Sequence, residues 1–477
     1  MRRLALALAA VVAAVPVGAQ NAKSELATAI DARAAAYTKI ADEIWANAEV
    51  GYQEHKSSAR LQAELKAAGF TVASGVAGMP TAFVASYGSG KPVIGILAEF
   101  DALPGLSQGA VPVRQPLVQH GAGHACGHHL FGTASSAAAI AVKEWMAKSS
   151  QRGTIRVYGT PAEEGGGGKI YMVRAGLFED VDVALDWHPG SRNDAGPGTS
   201  LANKSGKFRF RGKAAHAAGA PWAGRSALDA VEAMNHMVNL MREHVPDGTR
   251  LHYIITSGGG APNVVPDFAE AYYYVRHGDA GIVHELWSRI ELAAKGAAMG
   301  TETEVEVEVV NGVYALLPNE TLARMIDANL RHVGGVSYTP EERAFAEKIA
   351  ETLSGPRRDL AEAATVQPFA RSDAGGSTDV GDVSWVVPNA GFSTATWVPG
   401  TPAHSWQAVA AGGMSIGHKG MLVAAKTMAL SVYDLLTNPG LVADARAEFV
   451  KARGADFTYA PLIGNREPPL DYRVNPR

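Results

Sequence analysis

Four short motifs bring together side chains that bind metals and move protons. His124-Ala125-Cys126-Gly127-His128-His129 sets a thiol and an imidazole two residues apart across a glycine, a pairing of soft and borderline donors that suits a divalent transition metal. Pro161-Ala162-Glu163-Glu164 places two adjacent carboxylates ahead of four glycines, Gly165 to Gly168, a run that neither a packed strand nor a helix interior favours. Asp186-Trp187-His188-Pro189 offers a further imidazole, and Pro402-Ala403-His404-Ser405-Trp406 another in a late loop. The chain has 15 histidines, so each one alone reads as an ordinary surface or core residue. Convergence selects the chemistry: Cys126, His128, Glu164 and His188 all follow expected strands, where open α/β sheets bind ligands. One carboxylate of an adjacent pair can ligate metal while its neighbour takes a proton from water, the division of labour that metal-assisted hydrolysis requires.

The elements that must position these groups fall into two patterns. Residues 93–98, 155–158 and 181–187 are short apolar runs of the buried-strand type, and residues 24–47, 57–68 and 130–146 have helical spacing, which predicts an α/β layer with a mostly parallel sheet and helices on both faces. From residue 201 the pattern changes. Lys207-Phe208-Arg209-Phe210-Arg211 alternates strictly, residues 226–244 and 281–299 are helical, and residues 251–256, 271–276 and 302–310 read as strands. That order, β-α-β-β-α-β, predicts an inserted ferredoxin-like α+β domain over 201–312. Residues 20–200 and 313–477 would then form one catalytic domain, the second part adding a strand at 391–396, a helix at 417–436 and an irregular proline-containing tail from 460.

A chain of 477 residues is long enough for two or three domains. Its 43 basic and 47 acidic side chains leave a net charge of −4, with no basic cluster to serve as a nucleic-acid footprint. Met1-Arg2-Arg3, an apolar run to Val17 and then Gly18-Ala19-Gln20 have the order of a secretory signal peptide. The expected leader is residues 1–19, cut after Ala19, because the run is shorter than the roughly 20 residues needed to span a bilayer. A periplasmic or secreted protein without a membrane anchor is expected. Cys126 is the only cysteine, so no internal disulfide is available, and its neighbours mark it as chemically employed.

Taken in order, Leu97-Ala98-Glu99-Phe100-Asp101-Ala102-Leu103-Pro104, the segments 123–128, 160–167, 212–218, 261–267 and 376–385, and Pro402-Ala403-His404 resemble the motifs of the dinuclear metallopeptidases that include aminoacylase and carboxypeptidase G. Within them the likeness is to the amidohydrolase branch acting on hippurate and indole-acetyl-amino acids. The resemblance implies two divalent metal ions per chain, manganese or zinc, held by Cys126, His128, Glu164, His188 and His404. It implies Glu163 as general base, Asp101 orienting the ligands from behind, and His216 reaching from the insert of one protomer to the oxyanion in the other, so that the insert dimerises the protein as a lid. As a bare residue His216 reads equally as a packed turn histidine. Asn263 falls where relatives contact the substrate carboxylate; Arg276 either pairs with that carboxylate or is an ordinary strand end. His129 stands where the branch often has an acidic or amide side chain, leaving contact with metal or substrate, or simple packing, as its alternatives. The expected activity is amide hydrolysis of N-acyl- or N-aroyl-amino acids of a glutamate type. The runner-up is an exported dipeptidase or exopeptidase of the same family. A periplasmic solute-binding protein fits two α/β-like lobes and a leader, but has no use for a metal cluster backed by a spare carboxylate.

Overall fold

Every residue of Val93–Glu99 is buried, as expected of an apolar strand covered on both faces. In the computed structural model, which describes residues 17–373 and 375–474, this strand lies between Gly153–Thr160 and Val183–Leu185, parallel to both. The six-stranded sheet runs in the order Thr71–Ser74, Phe83–Ser89, Gly153–Thr160, Val93–Glu99, Val183–Leu185, Asn389–Ala390. Its first two pairings are antiparallel and the remaining three parallel. The expected leader lies for the most part outside the described residues.

Helices His128–Ser149 and Ser415–Thr437 lie against the central strand, and Pro439–Arg453 against Val183–Leu185. The first is rich in alanine and comes close to the sheet at Gly132, where a Cβ would sit 2.7 Å from the Glu99 carbonyl oxygen. The helical spacing over 24–47 resolves into two helices, Val17–Asp31 and Ala34–Asn47. No proline or glycine breaks them; the turn lets the first pack against Ser415–Thr437 and His128–Ser149 and the second against His128–Ser149 and His55–Ala67. The strand expected at 391–396 is shorter, Ser393–Ala395, and pairs with His188–Gly190 instead of joining the main sheet, whose last strand is the preceding Asn389–Ala390.

The second sheet is wholly antiparallel, in the order Glu304–Val313, Ala202–Arg211, Phe268–His277, Arg250–Ser257. With helices Ala227–Met241 and Ala280–Gly300 it has the ferredoxin-like order. Phe208 and Phe210 alternate into its core with Tyr273 and Trp287. Between them Arg209 turns to the other face, onto Glu270 at 2.7 Å and Glu308 at 2.6 Å. Ten paired positions, from Ala202 opposite His277 at the hinge to Arg211 opposite Phe268 at the far end, give a ladder about 30 Å long.

Candidate metal centre

Asp101 lies just past the end of the central strand and works in two directions. Its Oδ1 is 2.9 Å from His128 Nδ1, and its Oδ2 accepts from the Glu164 backbone N–H at 3.0 Å. His128 is the first residue of helix His128–Ser149, preceded by Gly127 at φ 76°. A Cβ at Gly127 would lie 2.6 Å from the Pro189 Cβ, and this close approach brings Cys126 Sγ to 3.3 Å from His188 Nε2. His188 opens strand His188–Gly190, and its Nδ1 lies 2.7 Å from the Pro189 carbonyl oxygen. Donation from Nδ1 to that carbonyl leaves the Nε2 lone pair facing the sulfur, the orientation that fixes a ligating imidazole. On the other side His404 Nε2 is 3.2 Å from Glu164 Oε1.

These contacts form three overlapping groups whose ligand atoms lie within 4.8 Å of one another: Cys126, His128 and His188; Cys126, Glu164 and His404; Glu99, His128 and Glu163. All five residues expected to hold metal are therefore brought together. The donor set fits cations on a further ground. His128 Nε2 and Glu99 Oε2 are buried without an aligned hydrogen bond among the described residues, facing only each other at 3.0 Å, and Glu164 Oε1 is buried with only the His404 imidazole, 3.2 Å away, to meet it. Buried polar atoms so poorly satisfied are costly to keep unless a cation coordinates them.

The electrostatics separate the two carboxylates of the pair. Burial, then the charges of Glu99, Glu164 and Asp379, holds the Glu163 carboxyl well above its ordinary range. Burial also works to raise Glu164, but the hydrogen bond from His404 and the charge of His128 outweigh it and hold Glu164 below its ordinary range. Burial pushes the Cys126 thiol up, a cost that a cation at the sulfur reverses.

Residues 95–367 match peptidase family M20/M25/M40. The chain belongs to this family. It is 42% identical over 467 residues to the B subunit of the p-aminobenzoyl-glutamate hydrolase of Escherichia coli, covering 92% of this chain and 97% of that protein. It is 31% identical over 443 residues to the Xaa-Arg dipeptidase of Mus musculus, covering 90% and 92%. Among solved structures, the aminobenzoyl-glutamate utilization protein of Klebsiella pneumoniae superposes with a TM-score of 0.61 at 20% identity, over 86% of this chain and 97% of that one. The Bacillus subtilis YXEP protein, described as a dinuclear metal binding peptidase of the M20 family, gives 0.59 at 16% identity, over 86% and 99%. As an M20 family member the protein is a hydrolase of amide bonds.

Three expected site residues stand apart from the cluster. His216 and Asn263 lie close together within the insert, past the far end of its strand ladder: the Ala217 N–H donates to the Asn263 carbonyl at 3.0 Å, and both side chains are exposed. His216 Nδ1 accepts from the Ala218 and Gly219 amides at 3.2 and 2.9 Å. That places the imidazole proton on Nε2, pointing outward as a donor. Arg276 pairs with Asn203 next to the hinge, its guanidinium 5.5 Å from the Tyr274 ring centre and its Nε buried without a partner among the described residues. Asn263 and Arg276 thus occupy opposite ends of one insert and cannot grip one carboxylate within a single chain. His129 faces away from the cluster: it is buried, and Nε2 lies 3.0 Å from the Gly412 carbonyl oxygen.

Sequence reasoning missed a buried charge relay behind the ligands. Lys169 Nζ donates to Glu99 at 2.6 Å and to Asp379 at 2.7 Å, all three being at most 1% exposed. Glu99 in turn faces His128. Burial raises Asp379 to about 6 against the pull of Lys169. Glu99 and Asp379 stand inside the family-like motifs, and Lys169 directly follows the four glycines; the signal was a lysine in an otherwise apolar helix start.

Proposed function

We propose that the protein hydrolyses the amide bond of N-acyl- or N-aroyl-amino acids, of the type p-aminobenzoyl-glutamate, with Glu163 carrying the proton. The observation behind this reading is the unequal setting of the two carboxylates. Asp101, through the Glu164 backbone N–H, and His404 pin Glu164 among the ligand residues, while Glu163 beside it is half-buried and biased toward holding a proton. A carboxylate of raised pKa accepts a proton from the attacking water and returns it to the leaving amine. When bound, divalent cations polarise the amide carbonyl and acidify the water beside it. Cys126, His128, Glu164, His188 and His404 would hold two of them; thiolate and imidazole favour zinc, and the carboxylates admit manganese.

The rest of the site is read as shared between two copies. His216 Nε2–H and Asn263 of one chain would reach the oxyanion and the substrate carboxylate in the other, where Arg276 near that chain's hinge supplies the charged fork. Strand Arg250–Ser257 is an open sheet edge carrying Ile254 at 60% and Ile255 at 44% exposure, which suits pairing with a second copy. The Escherichia coli relative is the B subunit of its hydrolase, and a shorter match is to the A subunit of that hydrolase, so a heteromeric assembly is the second outcome of a mass measurement. The place of action is taken to be the periplasm or the exterior, on the leader pattern of residues 1–19. Among the described residues no helix is long and apolar enough to cross a membrane.

The deciding experiment loads purified protein with zinc or manganese and compares N-aroyl-glutamates, N-acyl-amino acids and Xaa-Arg dipeptides. Turnover of the first two classes is expected to exceed that of dipeptides; the reverse order would replace this reading with the dipeptidase one.

A further inference from the structure

The last described residues, from Gly454 to Val474, run without helix or strand from the end of helix Pro439–Arg453 back across the molecule. They lie outside the segment that defines the family match. Leu462 covers Gly312 in the strand that leaves the insert, where a Cβ would sit 2.8 Å from the Leu462 Cβ. Arg466 donates to the Val310 carbonyl of that strand and lies 3.8 Å from Glu308. Arg174 holds the next stretch through the carbonyls of Gly464 and Arg466, at 3.2 and 2.6 Å, and Gln53 donates to the Leu470 carbonyl at 2.8 Å. The segment ends on the carboxylate pair: the Tyr472 hydroxyl donates to the Glu164 carbonyl at 3.0 Å, and the Arg473 guanidinium donates to the same oxygen. Tyr472 meets the Tyr52 ring edge-on at 5.8 Å, and a Cβ at Gly51 would collide with its hydroxyl.

The turn it closes on is one that the local sequence leaves loose. Four successive glycines carry the most backbone freedom a chain can have, and Gly165 and Gly167 stand at φ 96° and 69°, with Ala162 at 57°. Inside the turn the Gly166 and Gly167 amides donate to the Ala162 carbonyl at 2.9 and 2.8 Å, which fixes its start and leaves Glu164 at its bend. From outside, Asp101 takes the Glu164 amide, and Tyr472 with Arg473 takes the Glu164 carbonyl. The two tail donors supply a charge-assisted grip where no regular element reaches.

We infer that Tyr472 and Arg473 are positioning residues for hydrolysis, and that the C-terminal segment is a strap that sets the Glu163–Glu164 turn and ties it to the exit strand of the insert. This rests on the reading of Glu163 as the base and extends it to residues remote from it in sequence. The test uses full-length, metal-loaded protein with Tyr472→Phe, Arg473→Ala, the double variant and Arg473→Lys. The double variant should lose about ten- to a hundred-fold in kcat, the range for a small misplacement of reacting groups. KM, bound metal and thermal midpoint should stay near wild type, and Arg473→Lys should recover part of the loss. Independently of activity, amide hydrogen exchange at Gly165 to Gly167 should accelerate in the double variant while the insert sheet is unchanged. Unchanged kcat overturns the inference, and so does a loss that merely tracks departed metal or a lower midpoint. Failure of the underlying reading shows separately, as full activity in Glu163→Gln.

Discussion

Mixing two dead chains should restore activity if the site is built across a dimer. His216 lies past the end of a ladder of ten residue pairs, about 30 Å from the hinge at roughly 3.4 Å per residue, so it does not fold back onto its own chain's cluster without dismantling that sheet. Its Nε2–H is fixed outward by two backbone amides on Nδ1. Removing one donor aimed at a developing oxyanion costs about 2.7 to 4 kcal/mol, or roughly a hundred- to a thousand-fold in kcat. Removing the base costs about a hundred- to ten-thousand-fold. His216→Ala and Glu163→Gln chains are therefore each expected at or below about 1% of wild type. After random exchange half of the dimers are mixed, and each mixed dimer has one complete site of two, so about a quarter of the sites regain both residues. The assay follows amine release from an N-aroyl-glutamate, with the two chains carrying different affinity tags so that mixed dimers are isolated. A purified mixed dimer no more active than its parents would refute the trans assignment of His216 and the shared substrate grip with it.

Glu163→Gln should retain bound metal while losing turnover, whereas Glu164→Gln should lose metal as well; metal analysis of both variants checks this, and equal loss would end the division of roles. Lys169→Met leaves Glu99 and Asp379 facing each other without their shared cation, so a loss of about 3–5 kcal/mol in unfolding free energy is expected by denaturant titration of the apoprotein. Asp382 accepts from the Tyr459 hydroxyl at 2.6 Å and from the Tyr314 amide at 3.1 Å, yet burial first of all raises its carboxyl from 3.8 to about 7. A raised folded pKa contributes stability in full below the unfolded value of about 4 and loses it as pH rises through 7, a swing of up to about 4 kcal/mol. Asp382→Asn, which can still accept from Tyr314 and donate to Tyr459, should therefore gain stability over wild type at pH 8 and not at pH 4; a gain independent of pH would contradict the assignment.

The chain displays its ligands more openly than the means of holding them. The seven buried residues of Val93–Glu99 and the strict alternation of Lys207 to Arg211 are local patterns, and each element falls where its pattern places it. Cys126, His128, Glu164, His188 and His404 are legible because metal chemistry restricts residue type. Glu99, Lys169 and Asp379 are not, since a buried ion triad draws its members from three distant segments and each alone looks like a surface charge. The same limit hid the pairing of Ser393–Ala395 with His188–Gly190 outside the main sheet and the landing of Tyr472 on Glu164, 308 positions away. Asn263 and Arg276 illustrate a further kind of blindness: the resemblance sets Asn263 at the substrate carboxylate and leaves Arg276 open as its partner or a strand end, but only the ladder register shows that they sit at opposite ends of it.

Because Cys126 is the only sulfhydryl in 477 residues and lies in the ligand cluster, the protein carries its own occupancy gauge. Any mercaptan signal, whether from a colorimetric disulfide reagent or from alkylation read by mass, originates at one known atom. If Cys126 ligates as proposed, a bound ion would shield this sulfur further, and a stripped site would expose it only as far as its burial and raised pKa allow, so a difference in labelling rate between the two would report occupancy. The same solitude governs oxidative ageing. With no second sulfur to form an internal bridge, oxidation of an emptied site proceeds to the oxyacids of sulfur, and past the first of these it does not return.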